Sequence, residues 1–240
     1  MTHKIQVIFT TLFALFFLSA CLENEEVQPT GYGDVVVKTI IRNDTVVYGI
    51  NYFAYSYSQM DSVTVNRNDE TQKITLDSLD FRYTFAFTPK YSEYTAAKPQ
   101  KGSFIFNASF DNNQSDTFTD FLDSTFLSPP IIKKITFIVE EEQFKVEWQK
   151  DSKADTYRVI LVDDKNEIAF QSELLHPSTT FLLIEANSAG WLKNKLPSSN
   201  QVFKVAISAF LYEPVASSFD LQSISINDTS SVIWMTGVEE

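Results

Sequence analysis

The stretch Gln143-Phe-Lys-Val-Glu-Trp148 decides the fold class of its surroundings. Phe144, Val146 and Trp148 alternate with polar residues, which predicts a strand with one buried face and one exposed face. Further short apolar or alternating runs lie on both sides of it: Ile135–Val139, Tyr157–Leu161, Ile168–Gln171, Thr179–Ile184 and Phe203–Phe210. Short strands separated by turn residues at this spacing are typical of an all-β sandwich.

The order of these features resembles the fibronectin type III family over residues 131–226. The resemblance depends on Trp148 in the second strand, Tyr157 in the third, Leu196-Pro197 before the sixth, and Ala-Phe at its end. It implies a β-sandwich without a chemical motif. Two features depart from the pattern, because Phe203 stands where the family usually carries a tyrosine, and residues 188–195 are an insertion.

Two segments of this half carry more detailed predictions. We expect residues 188–195 to form one or two helical turns, with Trp191 closing one end of the sandwich. Residues 219–226 and 231–235 are predicted as the last strand of the sandwich and an extra strand, because Asn227-Asp228 between them is a turn signal.

The preceding hundred or so residues also predict strands and no long helix. In Phe81–Phe87 an aromatic residue stands at every second position, so we expect Phe81, Tyr83, Phe85 and Phe87 to face one core. Gly102-Ser-Phe104 looks like the last strands of immunoglobulin-like domains in bacterial surface proteins. The other predicted strands are Asp34–Ile41, Thr45–Ser58, Asp61–Val65, Gln72–Leu76, Gly102–Phe110 and Ser115–Phe121.

Ser128-Pro129-Pro130 marks a domain boundary. We predict a signal peptide over residues 1–20, an acidic linker over 21–31, an immunoglobulin-like β-sandwich over 32–128, and a fibronectin type III-like β-sandwich with an extra C-terminal strand over 129–240. Two consecutive prolines make a stiff joint. We therefore expect the two domains to lie end to end with limited bending.

The first residues predict export. His3 and Lys4 precede an uncharged run over Ile5–Phe17 that is shorter than the roughly 20 residues of a transmembrane helix. Leu18-Ser19-Ala20-Cys21 resembles the lipobox of bacterial lipoproteins. The resemblance implies cleavage between Ala20 and Cys21 and attachment of lipid, palmitate included, to Cys21. The alternative is an ordinary signal peptide or anchor helix with an accidental cysteine.

The residues after Cys21 bear on location. Leu22-Glu-Asn-Glu-Glu26 is similar to the export signal of Bacteroidetes-type surface lipoproteins, which implies an outer-membrane protein exposed on the cell surface. The alternative is a solvated tether on a periplasm-facing protein.

Composition excludes several function classes. The chain carries a formal charge of −12, and removal of Lys4 with the leader leaves −13. Nucleic-acid binding relies on lysine and arginine, so we expect no nucleic-acid partner. Cys21 is the only cysteine, so a lipid on it leaves no disulfide, thiolate metal site or cysteine nucleophile.

No catalytic constellation is recognisable. His176 is the one histidine after the leader, and neither a Gly-x-Ser-x-Gly turn nor a glycine-rich phosphate loop occurs. Glu140–Glu142 is interpreted as a turn with solvated charges. The run Asp111–Asp116 is also interpreted as a turn, because it lacks the glycine and the glutamate of a calcium loop. We expect no enzyme, no cofactor and no metal site.

Two sets of candidate surface residues remain. Asp-Ser/Thr triplets resemble the O-glycosylation motif of Bacteroidetes-type exported proteins, with acceptors Thr45, Ser62, Ser78 and Ser124. Aromatic residues in loops or near strand ends are candidates for stacking on a sugar ring: Tyr91, Tyr94, Trp191, Tyr212 and Trp234.

These observations predict a lipid-anchored cell-envelope protein that acts as a non-catalytic binding, adhesion or scaffold module, with a protein or glycan partner. The alternative is a glycan-binding accessory lipoprotein of an outer-membrane nutrient-uptake complex.

Overall fold

The computed structural model describes residues 28–193, 195–214 and 220–235. The predicted signal peptide, Cys21 and the acidic residues after it lie outside this part. The described chain confirms the all-β fold. Its only helical pieces are three short 3₁₀ turns, and it contains no helix long and apolar enough to cross a bilayer.

Eight strands form the N-terminal half: β1 (Gly31–Arg42), β2 (Thr45–Ser56), β3 (Met60–Arg67), β4 (Ile74–Thr75), β5 (Asp77–Asp80), β6 (Thr84–Phe87), β7 (Gly102–Phe110) and β8 (Ser115–Leu122). Seven form the C-terminal half: β9 (Ile131–Ile138), β10 (Gln143–Gln149), β11 (Thr156–Val162), β12 (Ile168–Gln171), β13 (Phe181–Glu185), β14 (Val202–Tyr212) and β15 (Leu221–Ile233).

The C-terminal half is a two-layer sandwich. A three-stranded sheet in the order β13-β10-β9 faces the strands β12-β11-β14-β15. Phe144, Val146 and Trp148 are buried between the layers, as their alternation predicts. From the opposite layer, Val159, Leu161, Phe203, Val205 and Ile207 complete this core.

The N-terminal half packs a four-stranded sheet, β4-β3-β7-β8, against β1, β2, β6 and β5. Its core contains Val35, Val37, Phe104 and Phe106. The layers approach closely at Gly33, where a Cβ atom would lie 2.5 Å from the Phe106 ring. A larger residue at position 33 would force the two layers apart.

One eight-stranded sheet joins the two halves. Its order is β12-β11-β14-β15-β1-β2-β6-β5, and β15 pairs with β14 on one side and with β1 on the other. The strands of the two halves meet in a parallel pairing of residues 37–40 on β1 with residues 223–226 on β15. The expected end-to-end arrangement is therefore wrong, because the halves share a sheet side by side. The domain limits that we placed at residues 128 and 129 stay a prediction.

The proline joint crosses β15 and is fixed to it by hydrogen bonds. Leu127 N donates to Ser223 Oγ at 3.2 Å, and Asn227 Nδ2 donates to Pro130 O at 2.8 Å. Thr39 and Ser225 oppose each other across β1 and β15 and are fully buried, and within the described residues neither hydroxyl has a hydrogen-bond partner. The junction is thus polar but inaccessible to solvent.

Three details of the predicted secondary structure are corrected. Leu221–Ile233 is one strand rather than two, because β14 pairs with it through the Asn227 position and a register shift absorbs the irregularity. Residues 188–193 form turns and a bridge to Phe170, not a helix. Phe81 and Tyr83 are exposed instead of facing the core, because Phe81 and Arg82 have φ values of 39° and 65° and end the alternation.

Candidate functional site

Three carboxyl groups from distant parts of the sequence converge where the two halves meet. Asp34 lies on β1, Asp120 on β8, and Glu213 directly after β14. One carboxylate oxygen from each lies within 4.8 Å of the others. We call these three residues the acidic cluster.

Backbone N–H groups hold the carboxylate of Asp120, and that of Asp116 on the same strand, in place. Asp120 accepts hydrogen bonds from Val35 N at 2.7 Å and from its neighbour Phe121 N at 2.7 Å. Asp116, on the same strand, accepts a bond from Gly31 N at 2.9 Å. These side chains satisfy N–H groups of β1 at residues before its pairing with β15 begins. They position β8 against the open part of that strand.

Burial and mutual repulsion disfavour ionisation of the acidic cluster. Burial, followed by the Asp120 carboxylate, raises the pKa of Asp34 to about 7, although a hydrogen bond from the Leu221 backbone opposes this. Burial, with Asp120 and Asp220 nearby, raises the pKa of Glu213 to about 7. Burial also raises the pKa of Asp120, against its two backbone hydrogen bonds. Like charges at this separation favour sharing of a proton.

No pattern in the sequence marks this cluster. Its members follow no motif spacing, and they meet only because β15 lies beside β1. An all-oxygen set of ligands of this kind is one that a hard divalent cation accepts, and it is equally suited to hold a proton. The expectation that the protein has no metal site stays a prediction.

The acidic cluster should make stability depend on pH. The pKa values of Asp34 and Glu213 are about 7 in the folded protein, against ordinary values of 3.8 and 4.5. The folded state therefore binds these protons more tightly than the unfolded chain, and the free energy of unfolding falls as pH rises between those values. We expect a higher urea midpoint at about pH 5.5 than at about pH 8.

Asp34→Asn tests whether the acidic cluster causes this pH dependence. The amide cannot ionise, but its oxygen still accepts the hydrogen bond from the Leu221 backbone. It should raise the free energy of unfolding at about pH 8 by about 1–2 kcal/mol and reduce the pH dependence. Asp164→Asn, at an exposed turn, is the matched control and should change neither quantity. Full retention of the pH dependence in Asp34→Asn would contradict this explanation.

The five candidate stacking residues occupy different environments. Trp234 and Tyr94 are 1% and 4% exposed, which leaves neither ring a face for a sugar. Tyr94 packs where a Cβ atom on Gly49 would lie 2.7 Å from its ring. Trp191 packs against Phe170, Phe203 and Trp234 and donates from Nε1 to Glu185 O. Tyr91 is exposed, and Tyr212 is half-buried at the end of β14.

The other predicted residues lie at the surface. All four candidate glycosylation acceptors are exposed, and the Ser62 hydroxyl lies 2.8 Å from that of Ser109. Their modification stays a prediction. His176 is exposed and its Nδ1 lies 2.7 Å from Ser178 Oγ.

Exposed aromatic residues gather at the end of the N-terminal half where the chain enters β1. Tyr57, Phe81 and Tyr83, which we call the aromatic rim, are exposed there. Ser56 Oγ donates to Thr30 O at 2.7 Å, and Ser56 N donates to Tyr83 O at 3.0 Å. These bonds place the rim beside the first described residues of the chain.

A pair of tyrosines lies next to the aromatic rim, on the outer face of the large sheet. Tyr32 and Tyr55 are opposite each other on β1 and β2, with ring centroids 5.1 Å apart and planes 16° apart. Burial raises the pKa of Tyr55, and the nearby Asp220 and Asp34 carboxylates raise it further. The two rings stack on each other and so do not form one flat platform.

Comparison with known proteins gives only distant structural neighbours. No protein-family model matches the chain, and no curated protein matches it. The FN1–FN3 domains of chicken CNTN1 share 9% identity with a TM-score of 0.34, covering 87% of this chain and 67% of that chain. A cytokine receptor complex shares 10% identity with a TM-score of 0.29, covering 81% of this chain and 98% of that chain.

The C-terminal half is a fibronectin type III-like sandwich. This assignment depends on the strand arrangement of β9–β15, with three strands facing four. The same all-β architecture, without a helical layer in the described residues, extends through the N-terminal half.

Proposed function

We propose that this protein is a lipid-anchored protein of the outer membrane, displayed on the cell surface, that acts as a non-catalytic binding or scaffold module. The observation that carries the proposal is the eight-stranded sheet shared by both halves. A hinge between two sandwiches would let their surfaces move independently. A common sheet, with the linker hydrogen-bonded to β15, holds them in a fixed relation.

The surfaces also favour binding over catalysis. Among the clefts on the described part of the chain, three of about 260–330 Å³ each contain at most one carboxylate and no histidine. Hydrolytic mechanisms use paired carboxylates or a nucleophile with a base. The acidic cluster lies at the junction between the halves, where Asp120 accepts a hydrogen bond from Val35 N of β1.

Anchoring is tested at Cys21. In a Gram-negative host, the wild-type protein should incorporate a palmitate analogue and fractionate with outer membranes, whereas Cys21→Ser should do neither. Ser19→Ala keeps a small residue in the lipobox and is the matched control. A Cys21→Ser protein that has lost its leader and still resists extraction from membranes would contradict the proposal. Digestion of intact cells with a protease tests display on the surface.

Glycan capture is a second candidate, favoured by Tyr32 and Tyr55, which stack on each other and remain 45% and 39% exposed. An exposed aromatic ring offers an apolar surface for contact with a sugar. Binding of the chain from Cys21 onward to a glycan array, weakened by Tyr55→Ala, would support this function. Absence of binding to any glycan would favour a protein partner.

A further inference from the structure

We propose that the aromatic rim, formed by Tyr57, Phe81 and Tyr83, contacts the lipid interface of the membrane that carries the protein. This inference rests on the proposed anchor at Cys21. It adds an orientation, because it assigns one end of the N-terminal half to the bilayer.

The length of chain before the described residues limits the distance to the membrane. Six residues lie between Cys21 and Gln28, so seven Cα-to-Cα steps connect the two. A fully extended chain spans at most about 3.3–3.6 Å per residue, so the lipid lies within roughly 25 Å of Gln28. Thr30 is hydrogen-bonded to Ser56 at the rim. The rim therefore lies at the end of the described chain from which the anchor segment extends.

The chemistry of the rim fits that interface. Phe81 and Tyr57 are 80% and 89% exposed, and Tyr83 is also exposed. Leu79, exposed nearby on β5, adds apolar area. Tyrosine places an apolar ring and a polar hydroxyl at the level of the lipid headgroups, where aromatic residues are enriched. Exposed aromatic rings clustered in this way mark an interaction surface.

The backbone at Phe81 supports a role beyond packing. Phe81 has φ 39° and is followed by Arg82 with φ 65°, a left-handed conformation that costs a bulky residue roughly 1–2 kcal/mol. This backbone conformation does not bring the Phe81 ring into the core, because the ring is exposed to solvent. The Arg82 side chain fixes the loop by an ion pair with Asp61 and by a hydrogen bond to Gln59 Oε1 at 3.1 Å. The loop therefore presents Phe81 outward in a defined position.

The charges around the loop are compatible with a zwitterionic surface. Arg82 is paired with Asp61 and also lies 3.5 Å from Asp111, so one positive and two negative side chains lie together at the tip. The strong negative charge of the whole chain disfavours anionic headgroups. We therefore choose zwitterionic phosphatidylcholine as the lipid that probes the rim.

The test uses a chemical tether, because Cys21 is the only cysteine. The chain from Cys21 onward, which retains every described residue, is coupled to a maleimide lipid in phosphatidylcholine vesicles with brominated acyl chains. Phe81→Trp and Tyr57→Trp report on the rim. Tyr91→Trp is the matched control, because Tyr91 is equally an exposed aromatic residue but its carbonyl is bonded to Arg42, at the other end of β1.

Bromine quenching of the two rim tryptophans, after subtraction of the unsubstituted protein, should be at least about twofold stronger than that of Tyr91→Trp, because interfacial rings lie roughly 5–10 Å into the headgroup boundary. Equal quenching at both ends would overturn the proposal. A blue shift that appears only at high protein density, without quenching, would also overturn it and make a second copy the partner.

The chemical tether separates this proposal from the proposed function. A protein that is not lipidated in cells would overturn the anchor and leave the vesicle result unchanged. Equal quenching at both ends would overturn the rim contact and leave lipidation at Cys21 unchanged.

Discussion

Replacing Ser225 with proline is expected to unfold both halves of the protein together. Ser225 pairs with Thr39 on β1 and with Ala209 on β14, so its strand is interior to the sheet. Proline removes the N–H group and cannot be accommodated in a central strand. The free energy of unfolding should fall by at least about 3 kcal/mol, with one buried carbonyl left unpaired.

Two probes distinguish a joint effect from a local one. Fluorescence of Trp148, Trp191 and Trp234 reports only the C-terminal half, whereas hydrogen exchange of β2 and β7 amides reports the N-terminal half. Both should report lower stability by the same amount. Ser225→Ala keeps the N–H group, removes an unpaired hydroxyl, and should be neutral or slightly stabilising. Wild-type protection of β2 and β7 in Ser225→Pro would contradict the shared-strand explanation.

Replacing Trp234 with alanine is expected to lower the free energy of unfolding by about 3–5 kcal/mol. Trp234 is 1% exposed, and its ring meets Phe137, Phe144 and Trp191 edge-to-face at centroid distances of 5.4, 4.8 and 5.8 Å. Alanine would lose these contacts and leave a cavity between the two layers of the C-terminal sandwich. The cavity cannot close fully, because β9 and β10 hold Phe137 and Phe144, and a hydrogen bond to Glu185 O holds Trp191.

Urea unfolding followed by circular dichroism measures this effect without relying on the deleted fluorophore. Tyr91→Ala is the control, because Tyr91 was an equal candidate for stacking on a sugar but is 59% exposed, so its loss should change stability by less than about 1 kcal/mol. A loss below about 1 kcal/mol in Trp234→Ala would contradict this prediction, because it would show that the surrounding side chains fill the cavity.

The C-terminal sandwich was predictable because its signal is local. Phe144, Val146 and Trp148 alternate within six residues, and burial of one strand face follows directly from that period. The error at Phe81 and Tyr83 has a different origin. Neither glycine nor asparagine marks the loop there, so the two left-handed residues that end the alternation had no sequence signature.

The shared sheet and the acidic cluster were not predictable for the same reason. Both depend on a parallel pairing between residues near the two ends of the described chain. Asn227-Asp228 reads as a turn, but the Asn227 side chain bonds to Pro130 O and to Thr229, and β15 continues past it. Tertiary contacts decided the outcome at that position, and local propensity did not.

The position of β15 also sets the order in which the molecule can be completed. Of the strands in the described part of the chain, β1 is synthesised first and β15 last. During synthesis, residues 37–40 of β1 have no strand partner on one side, and such an open edge invites pairing with other chains. Asp116 and Asp120 cover only the beginning of that edge. The large sheet therefore stays unfinished until β15 has been made, and the interval before then is when the chain most needs protection from aggregation.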